Sequence, residues 1–163
     1  MKHLIFIRHA KSSWSDQGLS DHERPLNQRG QRDAPVMGKW LAQTIYSPEI
    51  IIASSAVRAQ ETAFAFQSAC GISETDFMTE PRLYLAGMQE WIQILQESLG
   101  QDKRAALFSH NPGITQVVNW LCNEAIYNIP TCGVAIVAVP KDLKRLDSGV
   151  GQLLEFQTPK TLN

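Results

Sequence analysis

Apolar positions along the chain change period repeatedly, and the changes mark out alternating strands and helices. Leu4-Ile5-Phe6-Ile7 is a short unbroken apolar run, the pattern of a strand covered on both faces. Val36, Met37, Trp40, Leu41 and Ile45 recur with helical spacing, which predicts a helix over about residues 27–44 with Pro35 bending it. Ile50-Ile51-Ile52-Ala53 is a second buried strand, and Ala59, Ala63, Phe66 and Cys70 lie on one face of a helix stopped by Gly71. Met88, Trp91, Ile92, Leu95 and Leu99 form the clearest amphipathic helix, closed by Gly100. Ala105 to Phe108 reads as a strand, and Ile114, Val117, Val118, Leu121 and Cys122 as the apolar face of the helix after it. Val134 to Val139 is a strongly apolar strand and Leu153 to Phe156 a weaker last one. The polar tail from Gln157 is expected to fray, which leaves one domain over residues 1–163.

Strand and helix in alternation predict an α/β fold, a mostly parallel sheet held between helices. In such sheets ligands bind at the carboxyl ends of the strands. Arg8-His9, Ser54-Ser55 and Ser109-His110 all stand there.

Composition changes this picture little. A hydrophobic share of 44% with 19% charged residues is that of an ordinary globular chain. Fifteen basic and sixteen acidic residues leave a net charge of -1, so no whole-surface attraction to nucleic acid or membrane is expected. The apolar start is too short for a signal peptide and Arg8 stops it, and no run nears the roughly 20 residues of a membrane span. A cytoplasmic setting is the expectation. Cys70, Cys122 and Cys132 follow no ligand pattern and read as reduced thiols. Neither a Walker loop nor a zinc spacing occurs, and neighbouring Asp21-His22-Glu23-Arg24 read as a charged loop, so no metal and no cofactor is expected.

The chemistry lies in two histidines and two arginines. His9 follows directly on a strand, where a neutral imidazole can attack phosphorus. Arg8 and Arg58 supply planar, permanently charged forks for phosphoryl oxygens. Arg58 falls in the first helical turn after a cap at Ser54 or Ser55. His110 precedes Asn111-Pro112, which fits an N-cap followed by proline at the first helical position, so its ring faces a helix start that favours anions. Ser12 and Asn111 are further candidates for phosphate contact, and Lys11 and Ser13 are possible additional donors.

These residues resemble the histidine phosphatase (phosphoglycerate mutase-like) superfamily. Arg8-His9-Ala10 is similar to its strand-end Arg-His-Gly motif, and Ser54 through Ala63 to its Ser-x-x-x-Arg-Ala-x-x-Thr-Ala motif. Ser109-His110-Asn111-Pro112-Gly113 is similar to its second histidine motif, and Arg24-Pro25-Leu26-Asn27-Gln28-Arg29-Gly30 resembles the SixA group of phosphohistidine phosphatases. The resemblance covers nearly the whole chain. It implies a three-layer α/β/α sandwich, a metal-free mechanism, His9 as the phosphorylated nucleophile, and Arg8, Arg58 and His110 as phosphoryl ligands. Two departures stand out: Ala10 in place of glycine, and Leu85 where many relatives carry an acidic proton donor. Glu80 and Glu23 are the carboxylates that could substitute.

The missing acid bears on substrate. An alkoxide leaving group needs a proton, whereas the imidazole of phosphohistidine leaves more readily, and loss of a general acid costs about 10²–10⁴-fold where one is needed. The expected activity is hydrolysis of phosphohistidine on a protein, a histidine phosphotransfer or phosphocarrier domain, with inorganic phosphate as product. A small-metabolite phosphomonoesterase and a non-catalytic phosphate-binding relative are the alternatives; a mutase would need an extension to hold a second phosphate. Only the stretch between Cys70 and Met88 is expected to overhang the pocket. A nucleophilic imidazole predicts that activity falls as pH drops through about 6.5.

Overall fold

The computed structural model describes residues 1–98 and 103–162. Six strands, β1 (Lys2–Arg8), β2 (Ile50–Ala53), β3 (Phe77–Thr79), β4 (Ala105–Ser109), β5 (Val134–Val139) and β6 (Gln152–Gln157), form one sheet in the order β3-β2-β4-β1-β5-β6. The first four neighbours are parallel, and β5 and β6 add antiparallel pairings. The helices are α1 (Gln28–Ala42), α2 (Val57–Cys70), α3 (Met88–Ser98), α4 (Gly113–Cys122) and α5 (Pro159–Leu162). The expected ends of α3 at Leu99 and Gly100 lie outside the described residues.

Side chains alternate across a strand, so each apolar run feeds two cores. Leu4, Phe6, Ile52 and Leu107 pack under Trp91, Leu95, Val117 and Val118 of α3 and α4. Ile5, Ile7, Ile51 and Phe108 face Met37, Leu41, Ala63 and Phe66 of α1 and α2. The result is the three-layer α/β/α sandwich with a mostly parallel central sheet.

α1 runs as one element through Pro35. Three local expectations are corrected. α2 is capped by Ala56 rather than by Ser54 or Ser55, whose hydroxyls bond histidines instead. α4 starts at Gly113 with Pro112 as its cap residue, so Asn111 is not the N-cap. The tail does not simply fray: Thr158 and Pro159 are buried, and α5 lies against α1.

Two glycines set distances near the strand ends. A Cβ on Gly30 would lie 2.2 Å from the Lys11 carbonyl, so only glycine lets the first turn of α1 close on the loop after β1. A Cβ on Gly113 would lie 2.0 Å from the Ala86 carbonyl, where α4 meets the segment before α3.

Candidate active site

Parallel β1 and β4 pair with Arg8 opposite Ser109, and the next residue on each strand is a histidine. His9 N–H donates to the Ser109 carbonyl at 3.1 Å. The two rings therefore lie side by side, 5.1 Å between centroids, with His9 7% and His110 2% exposed.

The His9 Nδ1 is 2.7 Å from the Ala10 carbonyl, which can only accept, so the proton resides on Nδ1 and the lone pair on Nε2. Burial pushes the His9 pKa down to about 3, against the pull of the Ala10 carbonyl, with Arg58, Arg8 and Arg24 adding repulsion. The ring is thus neutral at physiological pH. Thr62 fixes the loop to α2: its Oγ1 accepts from Ala10 N–H at 2.9 Å and donates to the Arg58 carbonyl at 2.7 Å.

His110 Nε2 is 2.7 Å from Ser54 Oγ. That oxygen also accepts from Ala56 N–H at 3.3 Å; with its own hydrogen turned to Nε2, the His110 proton sits on Nδ1. Nδ1 is buried with no hydrogen-bond partner among the described residues, as is Arg8 Nε. Burial, His9 and Arg58 lower the His110 pKa to about 2. Two buried nitrogens without partners beside a neutral imidazole describe a receptor for an anion.

Arg58, 3% exposed, donates from Nε to His9 Nε2 at 3.4 Å. Its Nη1 donates to the Asp21 backbone carbonyl at 2.6 Å and its Nη2 to Asp21 Oδ2 at 2.9 Å. Arg8 Nη1 donates to the Ile129 carbonyl at 3.0 Å. Burial and the nearby Arg58 lower the Arg8 pKa from its usual range.

The other candidates are engaged elsewhere. Ser12 Oγ accepts from Arg24 Nη1 at 2.7 Å, so it supports the site through that arginine. Asn111 turns to the loop after α4, accepting from Thr115 Oγ1 at 2.6 Å and donating to Asn128 and the Ile129 carbonyl. Lys11 is exposed, and Ser13 Oγ bonds Ser15 Oγ at 2.8 Å. Glu80 accepts from Arg82 Nε at 3.0 Å, and exposed Glu23 accepts from Ser20 Oγ at 2.8 Å. These bonds lower both carboxyl pKa values, and neither carboxylate bonds a described residue of the pocket, so neither is placed as the proton donor. Leu85 is 57% exposed with a φ of 53°.

Sequence reasoning missed Asp21 and Tyr84. Tyr84 O–H donates to Asp21 Oδ2 at 2.6 Å, and its ring stands edge-on to His110 at 5.4 Å and to His22 at 4.7 Å. Asp21 Oδ1 accepts from Arg24 Nε at 3.2 Å and Nη2 at 3.0 Å. Hydrogen bonds from Tyr84, Arg58 and Arg24 outweigh partial burial and hold this carboxyl well below the usual carboxylate range. The pocket is therefore flanked by the loop before α1 as well as by the stretch before α3, contrary to the single overhang expected. Residues 21–24 were expected to be only a charged loop, but the aspartate pairs with two arginines; its place three residues before an arginine was the available signal. Among the described residues no three His, Cys, Asp or Glu side chains group as a metal site, and no helix is long and apolar enough to cross a membrane.

Residues 4–113 match the histidine phosphatase superfamily (branch 1). An uncharacterized chloroplastic protein of Arabidopsis thaliana is 31% identical over 144 residues, covering 83% of this chain and 66% of its own length, so the chain spans just under two thirds of that relative. An uncharacterized protein of Mycobacterium leprae is 31% identical over 166 residues, 94% of this chain and 100% of its own. Among solved structures, a protein of Agrobacterium tumefaciens assigned as the phosphohistidine phosphatase SixA superposes with a TM-score of 0.81 at 25% identity, covering 97% of this chain and 98% of that one.

Proposed function

We propose that this chain, which belongs to the histidine phosphatase superfamily, hydrolyses phosphohistidine on a protein by way of a phosphoryl group carried on His9. Its Nε2 attacks phosphorus, the N–P bond of the substrate breaks, and the departing imidazole takes its proton from water. Water then attacks the phosphorylated His9, the new N–P bond breaks, and inorganic phosphate leaves. Arg8, Arg58 and His110 neutralise the charge on the transferring oxygens, where positioning and electrostatics do most of the work.

The observation that carries the reading is the state of the acids. His9 is neutral with its lone pair on Nε2, while Asp21, the carboxyl group bonded into the pocket, is kept ionised by Tyr84, Arg58 and Arg24. A site with a ready nucleophile and, among the described residues, no protonated carboxyl group bonded into it favours a leaving group that needs none, and phosphohistidine offers one. Its substrate in this reading is a histidine phosphotransfer or phosphocarrier domain in the cytoplasm, acted on without a metal by residues 1–163 as one domain.

The test is phosphate release from a histidine-phosphorylated carrier protein, p-nitrophenyl phosphate and glycerol phosphate, in EDTA, with His9→Ala as control. Rapid His9-dependent release from the phosphoprotein with little from glycerol phosphate is the expected result. Strong turnover of glycerol phosphate would overturn the leaving-group argument, and a requirement for metal would overturn the mechanism.

A further inference from the structure

A guanidinium has two usable edges: the end, formed by Nη1 and Nη2, and the side, formed by Nε and Nη2. In Arg58 the end is taken by one residue, with the Asp21 backbone carbonyl on Nη1 at 2.6 Å and Asp21 Oδ2 on Nη2 at 2.9 Å. Its side faces the nucleophile, with Nε 3.4 Å from His9 Nε2. We propose that Asp21 is a positioning residue for phosphoryl transfer, holding Arg58 by its end so that the side edge stays turned to His9 and receives the phosphoryl oxygens. The inference rests on the reading of His9 as nucleophile.

Two further observations support this role. The first is that Asp21 is itself held. Arg24 grips Oδ1 with Nε and Nη2, Tyr84 O–H donates to Oδ2 at 2.6 Å, and Arg24 is anchored on Ser12 Oγ at 2.7 Å and the Ser13 carbonyl at 3.2 Å. One carboxylate thus joins the loop after β1, the turn at residues 21–23, the first turn of α2 and the segment before α3. A support fixed from several sides is what preorganises a charged group before its ligand arrives. The second is charge. Arg58 and Arg8 are close enough that Arg58 lowers the pKa of Arg8, and a lone Arg58 would be repelled from the pocket. Asp21 is the counter-ion that keeps it in place.

A carboxylate on an anion-binding arginine could instead compete with the phosphoryl group. The two roles differ in sign, and the experiment reads that sign. In the full chain, Asp21→Asn and Asp21→Glu are compared with wild type for kcat and KM on p-nitrophenyl phosphate and for vanadate affinity by calorimetry. The 15N signal of Arg58 Nε is followed in each.

Misplacement of a transition-state group by about 1 Å costs about 10²-fold, so Asp21→Asn is expected to lower kcat about 10–100-fold and to weaken vanadate binding. Asp21→Glu should recover part of both, and combining Asp21→Asn with Arg58→Ala should add almost nothing to Arg58→Ala alone. The Arg58 Nε signal should broaden or shift in Asp21→Asn. Tighter vanadate binding in Asp21→Asn would overturn the proposal in favour of competition. Losses that multiply with Arg58→Ala, or kcat and vanadate affinity left unchanged, would also overturn it. If Asp21→Asn fails to fold, Tyr84→Phe, which removes a single donor to Asp21, should lower kcat several-fold with the same broadening, and an unchanged kcat and signal would refute the idea. A carrier phosphoprotein that is not hydrolysed would count against the proposed substrate alone, since p-nitrophenyl phosphate and vanadate still report on Arg58.

Discussion

The two buried histidines make the fold itself sensitive to mild acid. An unfolded histidine titrates at about 6.5, whereas folding lowers His9 to about 3 and His110 to about 2. A depressed histidine pKa means that the unfolded chain binds the extra protons, so stability is intact above about pH 6.5 and is lost as pH falls toward the folded values. At pH 5.0 each unfolded ring is favoured by about 2 kcal/mol, and the pair by about 4 kcal/mol relative to pH 7.5. His3, also lowered by burial, acts in the same direction. The carboxyl groups with depressed pKa values, Asp21, Glu80 and Asp76 among them, lose their contribution only below about pH 4, under this window.

A loss of about 4 kcal/mol is a large part of the 5–15 kcal/mol that holds a typical domain together. Urea unfolding in phosphate-free buffers at pH 7.5, 6.5, 5.5 and 5.0 measures it, with the slope against urea checked for constancy. The comparison is a His9→Gln/His110→Gln double variant, whose stability should fall much less over the same range, by the His3 contribution alone. A wild-type loss below about 1 kcal/mol, or an equally steep loss in the double variant, would refute the reasoning.

Two further perturbations probe the supports of the site. Ser54→Ala removes the hydroxyl on His110 Nε2 and leaves that atom buried and unpaired, which should cost about 1–3 kcal/mol of stability and release the His110 tautomer, seen as a change in its ring 15N shifts. Gly113→Ala drives a methyl against the Ala86 carbonyl, so the segment bearing Tyr84 must move; a stability loss of about 1–3 kcal/mol with a drop in kcat is expected, and unchanged kcat would show that Tyr84 can shift freely.

Where the sequence was legible, one physical reason recurs. β1, β2, β4 and β5 are fully or nearly fully buried, so their apolar runs are unbroken and stand out. β3 escaped because it is a three-residue edge strand with only Phe77 packed on the core, which leaves no periodic signal. The antiparallel course of β5 is likewise invisible in a run that is apolar at every position. His9, His110, Arg8 and Arg58 were readable because each stands where a strand ends or a helix begins. Asp21 was not, because its partners Arg58 and Tyr84 lie 37 and 63 residues away in sequence. Ser54 misled for a related reason: as a helix cap it would serve the backbone, but its hydroxyl is committed to His110.

The position of β1 in the sheet also sets when the site comes into being. Its neighbours pair across long spans of chain, Leu4 with Ala105 and Phe6 with Ala135. Closing a loop of about a hundred residues costs roughly 4 kcal/mol in chain entropy before any contact repays it. Pairings of such range form slowly, and they are the ones that bring His9 beside His110. No species lacking the central strand can bring the two rings together, as the proposed phosphoryl transfer requires. Regained turnover after dilution from denaturant would therefore time the completion of the whole sheet, and a collapsed intermediate with most of its helices would be silent.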